Sequence, residues 1–451
     1  MNRMIAARAI ILIALSANIA MATQGDTIST IRGSAPSLTL EDCMRIAIEH
    51  NLGLENSRIN VQQSEYREDI FKTGLLFPSM NMSARLSEVA RPDEEPTFSQ
   101  SVRAYTNFGV FNMRNAPRKR KYEYDVLLNK FWFKSSTADL QRNIAVAYID
   151  ANLVRKQQEI LIEQLLELDS LNEISKNIGG DSLNPRPEIL RLSDNIMPLK
   201  EQIKTRLKAL ETSYEDKIGQ LNNLMSLDNS HNFRLADELE LTGDGIADEN
   251  AFVDKIIERA IAVRNEDDEL RKLHLQQDMK LVNAAFFPDV SAGVAYEEDF
   301  ITNFKGFTAN VNIYYNVYDP TARKKKDIAK LDIEKINNSI IENERNIARW
   351  IRSYYNKSKE HRSQVRISLV ESQKKLYQNT LGLFLDPSGG VAVSATDVIN
   401  TFKDYYDSRI TYYQNIAWSE IQKMYIRHQL MDFTTPFEDL DKIPPPNVGE
   451  R

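Results

Sequence analysis

Hydrophobic and polar residues alternate with two different periods along this chain. Over most of its length apolar residues recur every three or four positions, as in the run from Leu40 to Ile48, and this period predicts helices. After Phe77-Pro78 and again after Phe287-Pro288 the period falls to two, which is typical of strands with one apolar face. The pattern therefore predicts long helices that are interrupted by two groups of strands.

Each group of strands is predicted to form one hairpin, over residues 79–112 and 289–317. The second strand of the second hairpin is the clearest, because apolar and polar residues alternate strictly from Phe307 to Tyr315. Strands of about ten residues are long enough to cross a bilayer when tilted. A hairpin in water shows the same alternation, so both interpretations stay open for each strand taken alone. Loops are predicted at Arg91–Pro96 and at Glu297–Gly306.

Capping residues, prolines and glycines set the predicted helix ends. The first helix is expected from Thr39, a candidate N-cap three residues before Asp42, to Leu76. Two very long helices are expected after the hairpins, from Pro117 to Gly179-Gly180 and from Asp319-Pro320 to the segment 386–390. Shorter return helices are expected over 187–224, with a possible kink at Pro198, and over 395–430.

Prolines and glycines that mark the ends of predicted elements recur with a fixed spacing. Pro78 and Pro288 lie 288 − 78 = 210 residues apart, and Gly179 and Gly389 lie 389 − 179 = 210 residues apart. The sequence therefore predicts an internal duplication, with repeats at 23–228 and 251–431, a linker at 229–250 and an extended tail at 432–451.

Composition excludes several classes of function. The 451 residues are 42% apolar and 27% charged, as in folded proteins, and the net charge is −7. A nucleic-acid partner is not expected, because phosphate binding needs a basic surface. The five histidines are scattered, and the sequence contains no HExxH metal-binding motif, no pair of cysteines and no GxSxG hydrolase motif. We therefore expect no catalysis, metal or cofactor.

The N-terminus indicates export. Residues 1–22 place Arg3 and Arg8 before an apolar run that ends in Ala20-Met21-Ala22, so a signal peptide is predicted and the mature chain begins near Thr23. The single Cys43 cannot form a disulfide within the chain, and we interpret it as a small residue on a helix face.

Several short motifs, in a fixed order, resemble those of the TolC-type outer-membrane efflux proteins, the outer membrane factors. Leu38-Thr39-Leu40-Glu41-Asp42 is similar to the family's opening LTLEE, and Leu76-Phe77-Pro78 and Phe286-Phe287-Pro288 are similar to its LLPS corner. Gly389-Gly390 followed by Thr396-Asp397-Val398 is similar to its glycine turn followed by DVL. The gate-locking tyrosine and arginine of the family are not located by the sequence.

The resemblance implies a fold, a location and partners. It implies an α+β membrane protein, a homotrimer whose four strands per chain complete a 12-stranded β-barrel, continued by a long α-helical barrel in the periplasm. The implied function is a passive outer-membrane channel of a tripartite efflux or type I secretion system, with a periplasmic adaptor, an inner-membrane transporter and outer-membrane lipid as partners. The alternative is an exported periplasmic coiled-coil scaffold without channel activity. The exported substrate is not implied.

Three groups of residues are candidates for function. By the resemblance, Asp397 and Asn400, with Glu188 at the equivalent place in the first repeat, are candidates for an acidic ring at the periplasmic entrance. Asp397 is equally well explained as an acidic residue at a helix N-terminus. Candidate helix-tip turns with adaptor contacts are Gly179, Gly180, Gly389 and Gly390. Candidate membrane-interface residues are the basic runs Arg118, Lys119, Arg120, Lys121 and Arg323, Lys324, Lys325, Lys326, because a helix N-terminus does not favour cations.

Overall fold

The computed structural model describes residues 36–77, 79–91, 94–180, 187–228, 233–241, 248–300, 304–385 and 393–442. These residues form two compact units. The sheet unit is built from 52–139, 242–357 and the chain from 422 onward. The helical unit is built from 140–241 and 358–421, together with the segment that ends at Asn51. Each unit therefore combines residues from both halves of the sequence.

A four-stranded antiparallel sheet dominates the sheet unit. Its strands are β2 (Ser79–Arg91), β3 (Glu94–Phe111), β5 (Asp289–Asp299) and β6 (Phe304–Tyr314), in the order β2-β3-β5-β6. The two hairpins start 210 residues apart, at Ser79 and Asp289. Since β2 and β6 each have a partner on one side only, both edges of the sheet are open within this chain.

The strands are longer than the sequence predicted. The expected loop Arg91–Pro96 is largely strand, since β2 ends at Arg91 and β3 begins at Glu94 with Pro96 inside it. The expected loop Glu297–Gly306 is likewise shortened by β5 and β6. Hydrogen bonds between the paired strands stabilise an extended backbone in these segments. This pairing outweighs the local preference of the sequence for a turn.

Helices also belong to this unit. They are α2 (Leu52–Leu76), α5 (Glu249–Ala284) and the parts of α3 (Asn115–Gly180), α6 (Ala322–Gln364) and α8 (Ala395–Leu430) that belong to this unit. The apolar core of this unit is formed by Phe252, Ile256, Ile347, Ile351, Ile426, Leu430, Phe437 and Leu440. Burial of these side chains removes apolar surface from water and holds the helices together.

The helical unit contains a second, separate core. Its further elements are β1 (Ser37–Leu38), α1 (Leu40–His50), α4 (Pro187–Leu224), β4 (Arg234–Leu235) and α7 (Ile367–Leu385). Buried residues of four helices form the core, among them Ile160, Leu168, Leu192, Ile196, Tyr377 and Phe402. Pro198 lies inside α4, which runs from Pro187 to Leu224 as one helix. Cys43 lies in α1, as the sequence predicted, and it is fully buried.

Two short strands that lie far apart in the sequence, β1 and β4, form a small parallel ladder. The sequence did not predict this ladder. Ser37 pairs with Arg234, and Leu38 pairs with Leu235. The Tyr148 hydroxyl lies 3.0 Å from the Leu38 carbonyl oxygen and 3.0 Å from Asp237 Oδ2. Arg155 donates hydrogen bonds to the carbonyl oxygens of Leu235 and Asp237. Side chains of α3 therefore fix this ladder.

The prediction of a single first helix from Thr39 to Leu76 is wrong. The chain forms α1 and α2, and they are separated at Asn51, whose backbone is extended (ψ 118°). The Asn51 side chain donates a hydrogen bond to the Leu224 carbonyl oxygen at 2.8 Å. A contact with the end of α4 therefore accompanies the break. At the other end, Thr39 and Asp42 form the predicted capping box.

The second long helix is also interrupted, which corrects the prediction of one helix after Asp319-Pro320. It is divided at Val365 and Arg366 into α6 and α7, although no proline lies there. Its start is as expected: Asp319 Oδ1 accepts hydrogen bonds from the Thr321 amide and hydroxyl. The first long helix, in contrast, is continuous from Asn115 to Gly180.

The first part of the C-terminal tail is packed, not extended and peripheral. Phe437 and Leu440 are buried in the core of the sheet unit, and a 3₁₀ turn spans Phe437–Asp439. Arg259 forms a salt bridge with Asp432 at 3.2 Å and donates to the Leu440 carbonyl oxygen. The tail is held against α5 by the buried side chains of Phe437 and Leu440 and by the salt bridge between Arg259 and Asp432.

Some predictions fall on residues that the structure does not describe. They are the signal peptide at 1–22, Pro78, the parts of the linker at 229–232 and 242–247, the glycine segment with Gly389 and Gly390, and the prolines at 444–446. Among the helices of the described ranges, none contains a stretch long and apolar enough to cross a membrane.

Candidate functional site

The four-stranded sheet has one apolar face that runs across all its strands. Residues paired by the strand register point to the same side of a sheet, and Met82, Ala104, Tyr296 and Phe307 are paired in this way. The apolar face carries Met80, Met82, Ala84, Leu86, Val102, Ala104, Val290, Ala292, Val294, Tyr296, Phe307, Ala309, Val311 and Ile313, with Thr106 among them. Toward the far end of the sheet the same face also carries Gln100 and the salt-bridged Glu298 and Lys305.

This apolar face is exposed in the single chain. The exposed fraction is 83% for Met80, 77% for Met82, 80% for Phe307 and 69% for Val311. Large side chains of this kind are rarely exposed together on a monomeric soluble protein, and a contiguous apolar patch indicates contact with a membrane or another protein.

The opposite face of the sheet is polar. Its paired rows contain Asn81, Ser83, Arg85, Ser101, Arg103, Tyr105, Asn107, Asp289, Ser291, Gly293, Ala295, Glu297, Asp299, Gly306, Thr308, Asn310, Asn312 and Tyr314. The sheet thus divides a nearly continuous apolar surface from a hydrogen-bonding surface. Strands of a membrane barrel show this division, with apolar residues toward lipid and polar residues toward the lumen.

Exposed aromatic residues mark the end of the sheet that joins the helices. Phe77, Phe111, Phe287, Tyr314, Tyr315 and Tyr318 are all exposed there, next to the starts of β2 and β5 or the ends of β3 and β6. Aromatic rings are enriched at membrane–water interfaces because one part of the ring is apolar and the rest tolerates water. The aromatic group therefore coincides with a boundary of the apolar face.

The two basic runs follow this aromatic group directly. In the first run Lys121 forms a salt bridge with Asp278 at 2.6 Å, and Lys119 lies 3.7 Å from Glu123. In the second run Lys325 pairs with Asp319 at 3.1 Å. The other members of the runs are Arg118, Arg120, Arg323 and Lys324, which are exposed, and Lys326, which is half-buried. Both runs lie in the first turns of helices, as predicted.

Two of the acidic candidates lie at neighbouring helix starts in the helical unit. Glu188 is in the first turn of α4, and its Oε2 lies 3.5 Å from the Ala395 amide nitrogen at the start of α8. Asp397 is in the first turn of α8, and Asn400 lies one turn further on, where it is exposed. The structure therefore brings Glu188 close to the helix that carries Asp397 and Asn400.

Local hydrogen bonds account for the Asp397 position. Asp397 Oδ2 accepts hydrogen bonds from the Ser394 amide at 3.0 Å and from its hydroxyl at 2.7 Å, while Ser394 Oγ accepts one from the Asp397 amide. These bonds form a capping box and lower the pKa of Asp397, so that the carboxylate stays charged. Glu188 forms a salt bridge with Arg191 at 2.8 Å.

A cluster that the sequence analysis missed ties α8 to α3 in the helical unit. The Tyr406 hydroxyl donates to Glu167, and Arg409 pairs with Glu163 one turn away. Tyr377, Phe402 and Tyr405 pack around them. The pairs join residues about 240 positions apart, so only the closeness of Tyr405, Tyr406 and Arg409 in one helix could have drawn attention to this cluster.

Of the predicted helix-tip glycines, the structure describes one pair. Gly179 and Gly180 are the last two residues of α3, which agrees with the predicted helix end. Within the described ranges, histidine, cysteine, aspartate and glutamate are nowhere grouped in threes that could hold a metal ion.

Comparisons with known proteins concern the whole chain. No protein-family model matches the sequence, and no curated protein matches it. Solved structures do match. One, from a study of the conformational changes of CusC during folding and transmembrane channel formation, has a TM-score of 0.71 at 14% identity and covers 90% of this chain and 96% of its own.

Two further structures give the same result. The outer membrane protein VceC from Vibrio cholerae has a TM-score of 0.70 at 12% identity, and the match covers 87% of this chain and 96% of that one. The open state of the outer-membrane channel MtrE from Neisseria gonorrhoeae has a TM-score of 0.69 at 14% identity, with 87% and 89% covered. This chain therefore has the TolC-type fold of these outer-membrane channels.

Proposed function

We propose that this protein is the outer-membrane channel of a tripartite efflux or type I secretion system. In this proposal three copies close a 12-stranded barrel in the outer membrane, and their helices form a tunnel in the periplasm. The protein catalyses no reaction, and an inner-membrane transporter supplies the energy. A periplasmic adaptor connects the two proteins.

The exposed apolar face of the sheet carries this proposal. A face that is apolar across four strands would be in unfavourable contact with water, whereas lipid accepts it. The strands contain between 11 and 18 residues, and a tilted strand needs about 9–11 residues to cross a bilayer. The polar face then lines an aqueous lumen.

The open edges of the sheet support closure by further copies. Unpaired backbone groups at a sheet edge cannot be left in lipid, so the ladder has to close. One copy supplies four strands, and an isolated chain leaves β2 and β6 without an outer partner. Pairing of β6 with β2 of the next copy satisfies both edges, and three copies give the 12 strands of the proposal.

The helices that adjoin these edge strands support the same assembly. α2, which leads into β2, exposes Leu52, Ile59 and Tyr66 at intervals of seven residues. α6, which follows β6, exposes Ile328 and Leu331. An apolar seam with a seven-residue spacing is typical of helix–helix packing. We infer that these two helices meet between neighbouring copies.

The hypothesis of a periplasmic scaffold without channel activity is less consistent with the sheet. Hairpins that remained in water would leave Met80, Met82 and Phe307 solvated on one continuous face. This comparison favours the channel, although the polar face alone would fit either protein.

The residues at the helix starts are proposed to act at the periplasmic entrance. Three copies of Asp397, together with Glu188 and Asn400, would place charged and neutral oxygen atoms around one axis and favour cations there. Gly179, Gly180, Gly389 and Gly390 are proposed as the turns that an adaptor contacts. The basic runs at 118–121 and 323–326 are proposed to bind anionic head groups and set the depth of the barrel.

Conductance of the purified protein in planar bilayers tests the proposal. We expect stable, cation-preferring channels that form only after extraction in detergent, and a weaker cation preference for Asp397→Ala. A protein that is soluble without detergent and forms no channels would refute the channel and favour the scaffold. An unchanged ion preference of Asp397→Ala would refute only the acidic entrance.

A further inference from the structure

Three successive levels of the polar face are uncharged. They contain Asn81, Tyr105 and Thr308 at one level, Asn107, Gly293 and Asn310 at the next, and Ser291 and Asn312 at the third. One level nearer the helices, Asp289 pairs with Tyr314 and accepts a hydrogen bond from Asn112. Among the side chains described at these three levels, none is ionisable at neutral pH. The groups offered to the lumen are amides and hydroxyls, which donate and accept hydrogen bonds without a net charge.

Charged residues begin at the next level outward. Arg103 is the register partner of Glu297, and Arg85 and Asp299 both pair with Ser101. Two arginines thus lie near two acidic residues, and these four charges sum to zero per chain. The neutral levels lie between this balanced group and Asp289.

Gly293 makes room for two of the amides. A Cβ atom at this position would lie 2.1 Å from Asn107 Oδ1 and 2.5 Å from Asn310 Oδ1. Both distances are far below a normal contact, so the two side chains lean over the glycine from the strands on either side. Asn107 and Asn310 are exposed, whereas Gly293 is buried beneath them. The two carboxamides therefore converge over the glycine and present their exposed edges together, and we call this uncharged group of three residues the notch.

We propose that Asn107, Gly293 and Asn310 form a neutral binding notch in the channel lumen. The notch takes hydroxyl-bearing or amide-bearing parts of uncharged solutes, which exchange their water for carboxamide hydrogen bonds as they pass. Asn107 and Asn310 determine this specificity, and Gly293 leaves the space for their side chains. This inference rests on the proposed channel, because it needs the polar face to enclose water.

Substitution by charged residues tests whether the notch lines the pore. Asn107→Asp with Asn310→Asp should raise the permeability of K⁺ relative to Cl⁻ by about threefold or more, because six carboxylates would change the lumen potential. Asn107→Lys with Asn310→Lys should shift the ratio in the opposite direction. If neither pair changes the ratio in channels of normal conductance, the notch does not face the lumen and the inference is wrong.

A neutral sugar tests the specificity. Maltotriose should reduce the ion current through the wild-type channel in a saturable manner, and Asn107→Ala with Asn310→Ala should weaken this block about fivefold, as expected when one hydrogen bond per sugar is lost. Val311→Ala, on the apolar face between Asn310 and Asn312, should leave the block unchanged.

The outcomes separate the notch from the channel. A wild-type channel that maltotriose does not block, or a block that the alanine pair leaves unchanged, overturns the notch and leaves the channel proposal standing. Absence of any conductance in the wild-type protein overturns both.

Discussion

Ala309 lies at the centre of β6 on the apolar face, and its replacement by arginine should prevent stable assembly. Five residues separate it from each end of the strand, since 309 − 304 = 5 and 314 − 309 = 5. At about 3.4 Å per residue and a tilt near 45°, that is roughly 12 Å of depth on either side. Ala309 is thus near the middle of an apolar band about 25 Å tall.

This position sets the magnitude of the effect. An arginine on the lipid-facing side of a barrel costs about 2–4 kcal/mol at the bilayer midplane. In the proposed trimer, which contains three copies, Ala309→Arg should destabilise the assembly by about 6–12 kcal/mol. Thr308→Arg is the matched control, because Thr308 is the preceding residue and faces the polar side. Its cost should stay near zero, since water solvates the new charge.

The free energy of unfolding in lipid vesicles, obtained from guanidinium titration, measures the two variants. Thiol labelling gives a second measurement that does not depend on stability. In Thr308→Cys a charged, membrane-impermeant thiol reagent should react, and in Ala309→Cys it should not. The native Cys43 gives little background, because it is buried and burial raises the pKa of its thiol to about 12.

Equal destabilisation by the two arginine variants, or equal labelling of the two cysteines, would refute the assignment of the faces. It would also remove the main support for a membrane sheet.

Two further predictions concern the ends of the helices and the small ladder. Tyr148→Phe should lower the free energy of unfolding by about 1–3 kcal/mol, because the half-buried Leu38 carbonyl and Asp237 lose a hydrogen-bond partner. Denaturant titration measures this change, and Tyr66→Phe is an exposed control that should show no change. Hydrogen bonds from the Thr321 hydroxyl and amide, together with Lys325, lower the pKa of Asp319 from 3.8 to about 2. Since the pKa is lowered in the folded protein, Asp319 stabilises it above about pH 4, and this contribution disappears as the pH falls toward 2. The difference in stability between the wild type and Asp319→Asn should therefore vanish over this pH range, and a difference that is independent of pH would show that the carboxylate charge is not involved.

Local patterns in the sequence were sufficient to predict the order of most elements. The strict alternation around Phe307 is caused by one strand having an apolar and a polar face, so a single window of sequence contains the signal. Pro187 and Ala395 begin helices because capping and φ restrictions act within a few residues.

Features that depend on distant residues were not predictable in this way. The break at Asn51 is fixed by a hydrogen bond to Leu224, 173 residues away, and the ladder of Leu38 with Leu235 has a similar separation. The division between α6 and α7 has no proline or glycine to announce it. The packing of Phe437 in the core also depends on α5, and so the tail was predicted as extended.

The sequence alone also left the roles of the candidate site residues ambiguous, because these roles depend on contacts with distant residues. Asp397 is suited both to an acidic ring and to a helix start, and its capping box with Ser394 shows that the local role is fulfilled. Asn107 and Asn310 were noticed only as polar positions in a strand. The strand register that places both beside Gly293 comes from the assembled sheet, because neither residue is near the other in sequence.

The two hairpins of the sheet are unequal, and in the proposed channel this determines what lies outermost on the cell. β3 contains 18 residues, and only those from Ser101 onward pair with β5, so the hairpin of β2 and β3 extends beyond its neighbour. In the proposed trimer the long and short hairpins alternate around the rim, which becomes a crown with three points. In that arrangement the ends of β2 and β3, at Arg91 and Glu94, lie further from the membrane than the ends of β5 and β6. An antibody that approaches the cell from outside would reach these two strand ends first.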